Sequence, residues 1–145
     1  MNEVIQTYGI WIAVMAIVSI GSIVYTITYY KKNKKDIAAF LERCPNAAKI
    51  YMTQKGAITS EVLQIISVNG DIPLNFNEGT KAGVYVEPSE SIELELQYTY
   101  TRPGVMYKSV SESTGLVKRE VEVEANKSYK VGYDRKEQDF TFEEI

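Results

Sequence analysis

The longest uncharged stretch of this chain lies near its N-terminus and constrains everything that follows it. Residues 4–30 hold 27 consecutive positions without a charged side chain, in a sequence of 145 residues. A helix needs about 20 apolar residues to cross the hydrocarbon layer of a bilayer. We therefore predict a single transmembrane helix at residues 10–30, preceded by a short N-terminal tail at residues 1–9.

Aromatic residues flank the predicted transmembrane helix at both ends. They are Tyr8 and Trp11 at one end and Tyr29 and Tyr30 at the other. Amphipathic rings of this kind prefer the headgroup level of a bilayer. At a rise of about 1.5 Å per residue, Trp11 and Tyr29 would lie about 27 Å apart, close to the thickness of the hydrocarbon layer. We interpret these four residues as interfacial anchors.

A lysine cluster follows the apolar stretch directly, formed by Lys31, Lys32, Lys34 and Lys35. Basic residues beside a transmembrane helix are retained on the cytoplasmic side, and the N-terminal tail has none. We expect the N-terminus outside and the C-terminal domain in the cytoplasm of a cell-membrane protein, with the lysine cluster in contact with anionic lipid. An extracytoplasmic domain is the alternative, because small β-sandwiches are common outside the cell.

The helical pattern continues beyond the lysine cluster. Residues 31–45 predict a basic amphipathic neck helix, ended by Pro45, because apolar residues recur at helical spacing in Ile37, Phe40, Leu41 and Cys44. This stripe would lie either in the membrane interface or on the domain that follows.

One face of the predicted transmembrane helix carries Ser19, Ser22 and Thr26. Small hydroxyl residues on one face let a second helix approach, which would give a homo-oligomer through this segment. The alternative is that each hydroxyl bonds a carbonyl one turn back and contacts no partner.

Residues 46–145 change from helical to strand-like periodicity. The clearest strand spans residues 91–101, where inward-facing positions alternate with polar ones at Ile92, Leu94, Leu96, Tyr98 and Tyr100. Further strands are predicted at 47–53, 61–68, 82–87, 120–124, 129–134 and 140–143, with a turn at Asn69 and Gly70 and a hairpin at residues 124–127. The fold class is mainly β: an antiparallel β-sandwich of about seven to nine short strands behind one transmembrane helix.

Three segments of this domain carry turn and strand signals that go together. They are Val68, Asn69 and Gly70; Glu87, Pro88 and Ser89 before the long strand; and Ala125, Lys127 and Tyr129. In these segments the chain resembles small bacterial envelope β-sandwich domains of the PEGA kind. That family usually has Pro followed by Gly where this chain has Pro88 and Ser89. The resemblance implies a spacer or binding module that brings no catalytic residues.

The composition argues against most catalytic and metal chemistry. The chain has no His and one Cys, Cys44, so it lacks the usual general base near neutral pH and the usual nitrogen and sulfur metal ligands. We predict no enzymatic activity, no cofactor and no metal site. With 16 basic against 19 acidic residues, nucleic acid is not an expected partner.

A candidate interaction patch brackets the turn that follows the long strand. Its members are Tyr100, Arg102, Met106 and Tyr107, residue types that are enriched in protein interfaces. The competing interpretation is that Tyr98 and Tyr100 fill the sandwich core, since they share the parity of Leu94 and Leu96.

Two functions fit this sequence. We expect a non-enzymatic, single-pass membrane protein whose β-sandwich serves protein-protein interaction or scaffolding at the membrane, with the bilayer and another protein as partners. The alternative is an outward-facing envelope domain that binds a ligand, glycan or metal through acidic strand faces, formed by Glu93 and Glu95 and by Glu120, Glu122 and Glu124. Solvation alone also explains these acidic faces.

Overall fold

The computed structural model of this chain describes residues 2–56, 59–106 and 108–145, with side chains from Val4 onward. The chain divides into two compact units, of which the first ends at Ala38 and the second spans Ala39–Ile145. A single long helix, α1 (Asn2–Arg43), begins in the first unit and ends in the second.

α1 is long and apolar enough to cross a membrane, and it is the one such helix in the described residues. None of the residues in its most apolar 18-residue window is buried against the rest of the protein. Membrane anchors and signal sequences both have an apolar helix of this kind near the N-terminus. The helix ends as its sequence predicts: the N–H of Cys44 donates to the C=O of Phe40 at 2.8 Å, and Pro45 follows.

Ten strands are described in the second unit. They are β1 (Ala48–Met52), β2 (Gln54–Lys55), β3 (Ser60–Val68), β4 (Leu74–Glu78), β5 (Lys81–Val86), β6 (Ser89–Arg102), β7 (Val110–Ser113), β8 (Val117–Val123), β9 (Ser128–Asp134) and β10 (Asp139–Glu144). One sheet has the order β10-β9-β1-β5-β4. The other has the order β2-β3-β6-β7, with β8 beside β7 along the same edge of β6.

The predicted mainly-β fold, an antiparallel β-sandwich, is confirmed in two sheets that are largely antiparallel, and the described residues form ten strands where seven to nine were expected. One pair is parallel, because β1 inserts between β5 and β9 and runs in the direction of β9. The two sheets share one core. Alternate residues of β6 from Ile92 to Tyr98 are buried, and they pack with buried residues of both sheets such as Ile50, Val84 and Val131.

Two details of the predicted layout differ from the structure. The link at residues 124–127 does not form a hairpin, because β8 pairs with β6 in one sheet and β9 pairs with β1 and β10 in the other. Strands β2, β4 and β7 were not predicted. The turn at Asn69 and Gly70 is confirmed, since their φ angles are 51° and 82°, as a tight turn requires.

Candidate functional site

The departure of β1 from its sheet opens a space at one corner of the second unit. The pairing of β1 with β9 ends at Met52 opposite Val131. The next residue, Thr53, takes the chain to the other sheet: its C=O accepts the N–H of Leu63 at 3.0 Å. Its hydroxyl donates to the C=O of Val131 at 2.8 Å. β9 therefore continues beyond its neighbour for three residues.

This geometry leaves the backbone of Tyr133 facing the opening. In an antiparallel pair, alternate residues direct both backbone groups toward the same neighbour. The C=O of Ser128 accepts the N–H of Ile145 on the β10 side at 2.9 Å, so odd-numbered residues of β9 face β1. If the ladder continued, the N–H of Tyr133 would donate to the C=O of Thr53. That C=O instead accepts the N–H of Leu63 in the other sheet.

The space at this corner, which we call the end groove, has a volume of about 510 Å³. It lies at the end of the sandwich where β1 terminates, opposite the end where β1 begins at Ala48. Its lining comes from the link between β1 and β2, from β2, β3, β6, β9 and β10, and from the turn after β9: Thr53, Lys55, Glu61, Leu63, Tyr98, Lys130, Gly132, Tyr133, Asp134, Arg135, Lys136, Thr141 and Glu143. An adjoining space of about 340 Å³ shares Tyr98, Tyr133 and Arg135 with it.

Tyr98 lies in the lining of the end groove and is 6% exposed. Its ring stacks on Tyr133, with the centroids 4.3 Å apart and an interplanar angle of 23°. Among the described residues, Tyr98 Oη is the buried side-chain polar atom that lacks a hydrogen-bond partner. Burial is the main reason that the pKa of Tyr98 is raised. The charge of the Glu61 carboxylate and its hydrogen-bonding influence add to the rise, although no acceptor meets Oη with hydrogen-bond geometry. The structure thus keeps a desolvated hydroxyl at the groove.

Arg135 is held over an aromatic ring where the end groove meets the adjoining space. Its guanidinium carbon lies 3.8 Å from the centroid of Tyr100. The turn that presents it is fixed by Asp134 Oδ1, which accepts the backbone N–H groups of Lys136 at 2.8 Å and Glu137 at 3.3 Å. A stacked guanidinium keeps its N–H edge available for a carboxylate.

The ion pairs of the second unit and the end groove use different basic residues. In the described part of the chain, ion pairs occupy Lys49, Lys118, Arg119 and Lys127. The four basic residues of the end groove, Lys55, Lys130, Arg135 and Lys136, take part in none of these pairs. The groove therefore presents cations that a ligand can pair.

The predicted interaction patch is only partly assembled around the groove. Tyr100 is half-buried against the core and lines the adjoining space. Arg102 is exposed at the end of β6, and Met106 is 91% exposed in the loop that follows. Tyr107 lies outside the described residues. The partner of Tyr100 is Arg135, a residue to which no sequence pattern points.

The predicted membrane contacts all lie on α1. The lysine cluster is exposed, as are Tyr8, Trp11, Tyr29 and Tyr30. The hydroxyls of the polar stripe bond the helix's own backbone, since Ser19 donates to the C=O of Met15 and Thr26 to that of Ser22, each at 2.8 Å. These bonds are the ones expected of hydroxyls without a partner helix.

The acidic strand faces do not form a cation site in the structure. Glu93 lies opposite Glu120 in the ladder of β6 and β8, and Lys118 pairs with Glu93 at 2.9 Å. Within the described residues, no group of three acidic or Cys side chains is arranged to hold a metal ion.

A second aromatic group, which we call the outer aromatic cluster, lies on the solvent side of the β10-β9-β1-β5-β4 sheet. Phe76 is 6% exposed and contacts Tyr51 and Tyr85, with centroid distances of 5.4 and 4.6 Å. It lies across Gly83, where an added Cβ would come within 2.6 Å of the ring. Lys49 Nζ lies 5.5 Å from the Phe76 centroid. The faces of this ring are covered by the protein itself, which indicates a packing role.

Comparison of the chain with protein-family models, curated proteins and solved structures finds no match.

Proposed function

We propose that this is a non-enzymatic, single-pass membrane protein whose β-sandwich binds a segment of another protein in the end groove. The observation that carries the proposal is the groove with the stacked Tyr98 and Tyr133 and the fixed Arg135. Tyr and Arg dominate the residues that anchor protein interfaces, because they bring large contact area and directed hydrogen bonds at moderate entropy cost.

The membrane part of the proposal is supported by α1. Its apolar window is exposed over its whole length, and exposed apolar area of this extent gains free energy in lipid. The lysine cluster then lies beside the head groups of the cytoplasmic leaflet, where each lysine contributes about 1 kcal/mol of attraction to anionic lipid. The domain faces the cytoplasm in this arrangement.

Photo-crosslinking in cells tests the binding function. A photoreactive benzoylphenylalanine replaces Lys136 at the groove in one strain and Asn77, an exposed position on β4, in another. We expect a defined covalent adduct with another protein from position 136 and a much weaker one from position 77. Recovery of monomer alone from both positions would remove the proposed function.

Sidedness and anchoring need a separate experiment. The native thiol is a poor reporter, because Cys44 is buried. A Cys44→Ala background with Ile72→Cys places a thiol at a side chain that is 91% exposed. We expect a membrane-impermeant maleimide to label this variant only after lysis, and the protein to stay in the membrane fraction after an alkaline wash. Labelling of intact cells would instead favour the outward-facing envelope domain.

A further inference from the structure

The charge of the end groove differs from that of the domain around it. Residues 46–145 carry 16 acidic and 11 basic side chains, whereas the groove lining holds four basic and three acidic ones. Of the three acids, Asp134 accepts two backbone N–H groups, so Glu61 and Glu143 remain beside the four cations. The groove is thus a locally cationic site in an acidic domain.

From these observations we infer that the end groove binds an acidic segment of a partner polypeptide in an extended conformation. This inference rests on the proposed function and specifies the chemistry of the partner. Carboxylates of the segment pair with Arg135 and Lys130, while its backbone bonds the N–H and C=O that Tyr133 directs into the opening. Recognition then combines charge with strand addition, a common mode of peptide binding.

Arg135 is the main contact for a carboxylate in this arrangement. Its guanidinium is already positioned over Tyr100 at 3.8 Å, so little side-chain entropy is lost when a carboxylate binds its free edge in a two-pronged pair. Lys cannot reproduce that geometry, because an ammonium is a point charge on a flexible stem.

Tyr98 gives an independent reason to place a ligand here. A buried hydroxyl without a partner costs free energy in the unbound protein, and Tyr98 Oη is such a group at the groove. An acceptor oxygen from the bound segment would satisfy it. Tyr98 therefore lowers the stability of the unbound domain, and its hydroxyl gains a hydrogen bond when a segment binds.

Selection from a random 12-residue peptide library tests the inference directly. The target is the full chain in nanodiscs of zwitterionic phosphatidylcholine, so that the lipid adds no net charge. We expect Asp and Glu to be enriched in the selected peptides. Synthetic copies of them, measured by fluorescence anisotropy, should bind Arg135→Gln about tenfold or more weakly, with Arg135→Lys in between. Lys81→Gln is the matched control, since it removes one positive charge at an exposed position outside the groove lining.

Each other outcome overturns the inference in a distinguishable way. Acidic peptides that weaken equally with Lys81→Gln would show non-specific attraction. Selected peptides without an acidic excess that still require Arg135 would refute the acidic segment and leave the proposed function intact. A crosslinked partner at position 136 without any selected peptide would mean that a folded surface, not an extended segment, is bound. Failure of both experiments would refute the inference together with the proposed function.

Discussion

Replacing Tyr98 by Phe should make the domain more stable, although it removes a polar group from a buried position. The hydroxyl of Tyr98 has no hydrogen-bond partner, and a buried unpaired polar group costs about 1–3 kcal/mol. Phe keeps the ring that stacks on Tyr133. We expect the free energy of unfolding to rise by about 1 kcal/mol, which for a domain near 100 residues raises Tm by roughly 4–8 °C.

Urea unfolding of the full chain in detergent micelles measures this difference. Tyrosine near-UV circular dichroism is the suitable signal, because the sole Trp, Trp11, lies in α1 and does not report on the sandwich. Tyr100→Phe is the matched control: it removes the same atom from a ring that is only half-buried, so its effect should stay within about 0.5 kcal/mol.

The pH dependence gives a second signature of the same hydroxyl. Burial raises the pKa of Tyr98 above the usual 10, so the unfolded chain releases this proton first and stability falls as the pH rises past about 10. The Phe variant should lose less stability over that interval. A variant that is destabilised by about 1 kcal/mol or more at neutral pH would refute the reasoning, because it would show that the hydroxyl is bonded in solution.

Three further predictions concern other parts of the second unit. Phe76→Ala should lower the free energy of unfolding by about 3 kcal/mol in urea unfolding, since the ring is buried, whereas Ile72→Ala at a 91% exposed position should have almost no effect. An NMR titration should place the pKa of Glu78 below its usual 4.5, mainly because Lys49 donates a hydrogen bond to the carboxylate, and Lys49→Gln should raise that pKa. The contact stabilises the folded domain above pH 4.5, and this stabilisation is lost as the pH falls through the lowered pKa of Glu78. The Cys44 thiol should react with maleimide at pH 7 roughly ten times more slowly than in the urea-unfolded chain, because burial, followed by the Glu87 charge, raises its pKa; equal rates would contradict its burial.

The strands that the sequence predicted well are those with one buried and one solvated face. In β6 and β9 apolar and polar residues alternate without interruption, so the period alone identifies them. β4 was missed because it is five residues long and its buried Phe76 lies on the outer face, between two Asn residues. β7 has one apolar residue in four. Local pattern carries little information in both cases.

The wrong hairpin has a different cause. Residues 124–127 have turn chemistry, and Asn126 does adopt a positive φ of 59°. Such a turn can return a strand to its own sheet or pass it to the facing one. Here β1 occupies the place beside β9. The pairing with this strand, which is distant in sequence, determines the sheet that β9 joins, and the residues of the turn do not indicate it.

The candidate site was predictable in part. The parity of Tyr98 with Leu94 and Leu96 places it in the core, and a buried Tyr that needs a partner for its hydroxyl is a signal for a polar neighbour or ligand. The sequence around Arg135 does not indicate a binding residue, because the polar turn that holds it resembles an ordinary solvent-exposed connection between strands. Only the fold brings it onto Tyr100, which lies 35 positions earlier in the chain.

The parallel pairing of β1 and β9 has a mechanical consequence. Tension applied between Ala48, at the first residue of β1, and the far end of β9 pulls two codirectional strands along their length. The four residue pairs that join them are then strained in shear, all at once, instead of opening one after another. A partner that pulls on the strand carrying Tyr133 would therefore meet resistance from the whole ladder at the same time.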